Sequence, residues 1–367
     1  MRLLFGPVSR IMVRHRTVPG TEYEVTTRRD IMVRLWFGFV GGIGAVGNCS
    51  DEPVESKATP TEIEYTEMSG EPLPQFGVPT LGGMQFWGDV LYFQGYKIQR
   101  NVFTGSFRLL DKNNRRYQSG TVEDCRRTLE QFKTSEKLAP DTGHAVIYLH
   151  GIGRTSRSMR PILKSMPQDG FVHVAFEYPS TRVPIAQAAD YLHSVIESLT
   201  EVSKISFVVH SMGGLVVRRY LQEHNEPRIH RMVMLGTPNS GAELADMLKR
   251  NMLFRAVYGP AGQELVTDPE GTIGTLPVPQ FEFGVIAGGK GDEQGFNPLL
   301  PGDDDGTVTV KSARLPGAAD FLRVPKLHSF LMSDTAAIAA TKCFLEHGRF
   351  SMTSEPQPIG KESAVCP

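Results

Sequence analysis

The chain has 367 residues, 40% of them apolar, and 39 Lys and Arg against 40 Asp and Glu, for a formal net charge of −1. That length holds one large domain with an appendage. A near-neutral chain without a basic stripe interleaved with aromatics excludes nucleic acid as an expected partner. Cys49, Cys125, Cys343 and Cys366 lack C-x-x-C spacing, so neither a zinc or redox motif nor a disulfide framework is implied.

Residues 1–50 open with an Arg-rich lead. A glycine-rich apolar run follows over 35–47, after Arg28, Arg29 and Arg34 and ending in the small residues Ala45 and Gly47. This reads as an export signal, and residues 27–32 resemble a twin-arginine motif. The other readings are a single membrane anchor or a disordered basic tail. The expected location is therefore periplasmic, extracellular or membrane-anchored, with the cytoplasm as the alternative. Residues 51–82, rich in Pro, Glu, Thr and Ser, read as a disordered linker.

Residues 83–142 form a subregion with strand patterns at 90–93, 96–103 and 107–110, then a helix begun by Thr121 and Asp124. Val122, Cys125, Leu129 and Phe132 share one face of that helix. These are either leading strands of a larger sheet or an added cap. From 143 to 350 strand and helix signals alternate. Apolar strands are expected at 145–149, 171–176, 205–209, 231–235, 281–287 and 321–324. Ile185, Ala188, Ala189, Leu192, Ile196 and Leu199 make a helical stripe. A final helix runs from Ser333 or Asp334 through Leu345. Repeated β-α-β units imply the α/β class, with a doubly wound, mostly parallel sheet and an N-terminal extension. Residues 351–367 form a tail.

Within this domain, Phe207-Val208-Val209-His210-Ser211-Met212-Gly213-Gly214 ends a β-branched run at a serine followed by two glycines. This is the pattern of a strand–serine–helix elbow that projects an Oγ from the carboxyl edge of a sheet. Val209 stands where the usual G-x-S-x-G pattern has its first glycine. His150-Gly151-Ile152-Gly153 follows the first apolar strand, so the backbone amides of Ile152 and Met212 are the expected oxyanion donors. Asp305, at a turn before a β-branched run, is the expected acid. His328, between the last strand and the last helix, is the expected base. Asp303 and Asp304 read as a solvated acidic turn. His150 reads as a structural hydrogen-bonder, and His210 is expected to point away from the neighbouring serine. Leu244, Met247, Leu248, Met252, Phe254 and Val257 read as core, with a short lid or acyl-chain wall as the alternative.

On Ser211, the H-G-x-G loop, Asp305-Gly306 and His328, the chain resembles the α/β-hydrolase superfamily. Its pattern is nearest to bacterial triacylglycerol lipases and esterases and to GPI inositol-deacylase-like proteins. Leu235-Gly236-Thr237-Pro238-Asn239 resembles a further segment of that family, with Asn239 in place of its usual histidine. The resemblance implies a serine esterase or lipase working through an acyl-enzyme on a small-molecule or lipid ester, without a cofactor. Calcium is not implied, because Ser329 and Phe330 stand where the family often has an acidic residue. Acyl transfer and thioester or amide cleavage are the nearest alternatives, and a non-catalytic binding protein on the same scaffold is a further one. Membrane association would run through the N-terminal apolar segment.

Overall fold

A computed structural model of the chain describes residues 78–79 and 84–360. The expected export signal or anchor, and all of the expected linker except Val78–Pro79, lie outside these residues. Among the described residues no helix is long and apolar enough to cross a membrane. Both sheets below belong to one unit, Gly70–Pro367.

The N-terminal sheet is antiparallel, in the order β1-β5-β4-β3-β2. Its strands are β1 (Val78–Pro79), β2 (Trp87–Phe93), β3 (Tyr96–Asn101), β4 (Phe107–Leu110) and β5 (Arg115–Gly120). β5 carries no apolar alternation, and most of its residues are exposed, which is why its sequence does not announce it. Helix α1 (Val122–Ser135) starts at a capping box between Thr121 and Asp124. It packs Cys125 and Leu129 against Ile98 and Leu109. Cys125 and Cys343 carry free thiols.

The second sheet is parallel throughout, in the order β11-β10-β9-β8-β6-β7. Its elements, in chain order, are β6 (Gly143–Leu149), α2 (Arg160–Ser165), β7 (Phe171–Phe176), α3 (Ile185–Ser198), β8 (Val202–His210), α4 (Met212–Glu223) and β9 (Ile229–Leu235). Then come α5 (Glu243–Leu248), α6 (Met252–Glu264), β10 (Glu282–Gly288), α7 (Val310–Ala313), β11 (Asp320–Val324) and α8 (Thr335–His347). The period of two along the strands explains their unbroken apolar runs. Ala145, Ile147, Leu149, Phe207 and Val209 face a core shared with α3 and α4, whereas Val146, Tyr148 and Val208 face one shared with α2 and α8. Asp334 caps α8 by accepting from the Ala336 and Ala337 amides, and Gly348 ends the helix at a left-handed φ of 75°.

The 83–142 strands are not leading strands of the parallel sheet; they make a sheet of their own that covers its β7 edge. Along that edge, Tyr92 Oη donates to His173 O (3.3 Å), Lys97 Nζ to Ala175 O, and the Asp89 amide to Glu177 O (2.9 Å). An edge strand with unpaired carbonyls invites association, and here three alternate carbonyls have partners from β2 and β3. The start of the tail also packs back, with Ile359 exchanging backbone bonds with Gly317 and Ala318.

Candidate active site

The strand order reverses at β6, with β7 on one side and β8 on the other, and ligands of open α/β sheets bind at the carboxyl ends of such strands. β6 feeds the 150–156 loop, and β8 ends at Ser211. Ser211 has φ 54° and ψ −129°, one of four described non-glycine residues at positive φ. Strain of this kind marks a nucleophile elbow. Gly213 explains how the turn fits, since a Cβ there would lie 2.9 Å from Leu149 Cβ and from the His150 carbonyl oxygen. Val209 sits in the apolar core without obstructing the turn. Gly151 brings the 150–156 loop against the serine: a Cβ on it would lie 2.9 Å from Ser211 Cβ.

His328 opens a short 3-10 turn (His328–Ser333) after β11. Its Nδ1 is 2.7 Å from Asp305 Oδ2, and its amide donates to Asp305 O (2.8 Å). A carboxylate accepts, so Nδ1 carries the hydrogen, and the lone pair of the neutral ring is on Nε2. The other oxygen of Asp305 accepts from the amides of Thr307 (3.0 Å) and Val308 (2.8 Å), and both residues of the pair are buried. Gly236, which follows β9, is what lets the pair sit there; a Cβ on it would be 3.1 Å from both Asp305 Oδ2 and His328 Nδ1. Sequence reasoning singled out that segment but gave Gly236 no role.

Ser211, His328, Gly151, Ile152 and Arg154 line one cavity of about 200 Å³. Ser211 Oγ makes no hydrogen bond to His328 or to any other described residue, although both residues line the cavity. The competing acids are engaged elsewhere. Asp304 is fully buried and accepts from the amides of Asn297 and Gly306, which corrects its reading as a solvated residue. Asp303 accepts from the Gly291 amide. His150 is a structural hydrogen-bonder, stacked on Tyr178 at 4.3 Å with its Nδ1 donating to Gly151 O.

Two further expectations are corrected. His210 does not point away, because the elbow breaks the strand's alternation. Its ring lies 4.7 Å from that of His328, its Nε2 donates to His328 O (3.0 Å), and it lines the cavity. Burial, and then the neighbouring His328, hold His210 well below the usual imidazole range, so it stays neutral. Nor is the 244–258 stripe core. Leu244, Leu248, Phe254 and Tyr258 line the cavity, while Met247, Met252, Leu253 and Val257 are exposed. A kink at Gly259, followed by Pro260, splits α6 just after this wall. A larger cleft of about 590 Å³ between α1, β2 and α3 holds none of these groups. Among the described residues, no cluster of three or more His, Cys, Asp or Glu side chains is placed to hold a metal ion.

The all-parallel order with its reversal at β6, the serine at the β8–α4 turn, and the succession of serine, aspartate and histidine along the chain make this an α/β-hydrolase fold. Residues 113–276 match a family model described as a domain of unknown function, DUF7379. No curated protein sequence matches the chain. Among solved structures, the chain is similar to the mature Bacillus licheniformis lipase BlEst2 at 19% identity and a TM-score of 0.41, over 56% of this chain and 91% of that one. It is similar to the lin2722 gene product of Listeria innocua at 17% and 0.41, over 60% and 98%. It is also similar to the metagenomic carboxyl esterase MGS0156 at 18% and 0.38, over 50% and 64%. At these values the fold assignment rests on the chain's own strand order and elbow.

Proposed function

We propose that the protein hydrolyses carboxylic esters through Ser211, His328 and Asp305. The observation that carries this reading is a buried Asp305–His328 pair, 2.7 Å apart, sharing a cavity with a serine at positive φ. Ser211 Oγ attacks the acyl carbonyl carbon while its proton passes to His328 Nε2. Asp305 holds the Nδ1 hydrogen and stabilises the imidazolium. The amides of Ile152 and Met212 hold the oxyanion. Collapse expels the alcohol, which takes its proton from His328, and water then releases the acid from the acyl-enzyme by the same route. The Ser211–His328 hydrogen bond forms as substrate fills the cavity, since such bonds are commonly long in unliganded enzymes. Leu244, Leu248, Phe254 and Val308 give the acyl group an apolar wall.

A serine-reactive fluorophosphonate labels the wild-type protein and not Ser211→Ala. On p-nitrophenyl esters, Asp305→Asn lowers kcat about 10³–10⁴-fold by leaving the wrong histidine tautomer. A folded wild-type protein that neither labels nor turns over these esters sinks the reading in favour of a binding protein. Varying the acyl length then separates lipase from short-chain esterase.

A further inference from the structure

The loop that carries Ile152 is tied along its length to groups outside it, most of them in the segment just past β7 and one, Gln85, in the turn that precedes β2. Glu177, buried just past β7, reaches both ends of the loop. Its Oε2 accepts from the Ser156 amide (3.0 Å) and from Ser156 Oγ (2.8 Å), and its Oε1 lies 3.2 Å from His150 Nε2. Tyr178 Oη donates to His150 O (2.6 Å). Between these ends, Ser180 Oγ accepts from the Gly153 amide (3.1 Å), and Gln85 Nε2 donates to Arg154 O. Gln85 Oε1 in turn accepts from Ser180 Oγ (3.1 Å) and Thr181 Oγ1 (3.2 Å). Glu177 is itself fixed by β2: its amide donates to Asp89 Oδ2 (2.9 Å), and its carbonyl accepts from the Asp89 amide (2.9 Å).

We infer that Glu177 is a positioning residue for the Ile152 amide, and that the N-terminal subregion, through Asp89 of β2 and Gln85 just before it, serves the reaction as well as covering an edge. This rests on the ester-hydrolase reading above. An oxyanion donor acts only when aimed in advance, at about 2.7–3.1 Å from where the charge will develop. Ile152 sits on a glycine-flanked loop with no regular structure to aim it. One carboxylate bonded to Ser156 at one end of the loop and 3.2 Å from His150 Nε2 at the other, with Ser180 and Gln85 between, supplies the rigidity the loop lacks. Buried partners that are already bonded need not reorganise during the reaction.

The test compares full-length Gln85→Ala, Glu177→Gln and Ser211→Ala. Readouts are kcat and KM on p-nitrophenyl butyrate, inhibition by an alkyl trifluoromethyl ketone whose hemiketal alkoxide needs the oxyanion donors, and thermal unfolding. Misplacing a reacting group by about 1 Å costs up to roughly a hundredfold, so Glu177→Gln is expected to lower kcat about 30-fold and weaken the ketone in parallel. KM stays within about twofold, because the loop's aim matters most in the transition state. Gln85→Ala, at a partly exposed position, lowers kcat about fivefold with its melting temperature close to wild type. A merely structural role would move the melting temperature and leave kcat and ketone inhibition alone. That result, or a change confined to KM, overturns the inference. If Glu177→Gln does not fold, Gln85→Ala decides by the same measurements. A Ser211→Ala protein that still turns over ester overturns the proposed function and this inference together. An inactive Ser211→Ala beside fully active Gln85→Ala and Glu177→Gln overturns this inference alone.

Discussion

In the parallel sheet, β6 and β8 bury aliphatic and aromatic side chains on both faces. In the N-terminal sheet the face under α1 is apolar, and the other buries Asp89, Lys97, Gln99 and Arg108 beside Tyr92 and Leu110. Those four form a chain in which Arg108 Nε donates to Gln99 Oε1 (2.9 Å), Gln99 Nε2 to Asp89 Oδ1 (2.7 Å) and Lys97 Nζ to Asp89 Oδ2 (3.1 Å). Burial pushes the Asp89 carboxyl up in pKa while Lys97 pulls it down, and burial is the larger effect. Burial also brings Arg108 down to about 10. Networks of this kind are often no more stabilising than apolar residues of the same volume. Their use here is directional: they place donors on the carbonyls of β7 and fix Glu177, which an apolar face could not do. One sheet is built for stability and the other for alignment.

The sharpest break between the two comes from truncating each. Phe207→Ala leaves a cavity in the fully buried face of β8 and is expected to cost about 3–5 kcal/mol in urea unfolding. Asp89→Leu strands Lys97, the Gln99 amide and the Glu177 N–H, and is expected to cost about 3 kcal/mol. Adding Lys97→Met should return part of that loss, because the stranded charge goes, while Ala175 O remains without its donor. No apolar substitution would rescue Phe207→Ala in the same way except by refilling the volume. If Asp89→Leu alone costs under about 0.5 kcal/mol, within the range of surface changes, the contrast between the sheets disappears.

The same contrast explains what was legible in the sequence. All six parallel strands fall where apolar runs placed them, because burial on both faces leaves nothing to alternate. Ser211, Gly213 and Gly214 were legible because the elbow's geometry admits few residues. The polar face was not: Lys97 and Gln99, alternating with Tyr96 and Ile98, carry no signal that another strand lies against them, and only the fold reveals that β7 does. β5 was missed for want of any apolar period. His210 was misplaced because alternation was carried one residue too far, into a turn that ends it. Residues 244–258 were read as core since spacing alone does not distinguish a helix face packed on a core from one lining a cavity. Gly236 had no sequence signal of its own; its role depends on Asp305 and His328 arriving from distant segments.

The smallest predicted effect lies at the opposite end of the parallel sheet from the chemistry. His144, at the start of β6, shares a hydrogen bond of 2.9 Å between its Nε2 and Ser206 Oγ and packs against Phe171 and His230. Burial first, then His230, Lys204 and Arg231, lower its pKa from 6.5 to about 4. The unfolded chain therefore takes up a proton below about pH 6.5 that the folded chain refuses until about pH 4, so stability falls across that window and levels off beneath it. A full shift of this size would amount to about 3 kcal/mol, and solvent screening of a half-buried ring reduces it to about 1–2 kcal/mol. His144→Gln keeps a partner for Ser206 without the titration. Its loss of stability between pH 7 and pH 4.5 should be smaller than that of wild type by that amount, with ester turnover at pH 7 unchanged. Equal losses in the two proteins would remove His144 as the cause. His210, neutral beside His328, would then be the next imidazole to test, and its substitution, unlike that of His144, should also alter turnover.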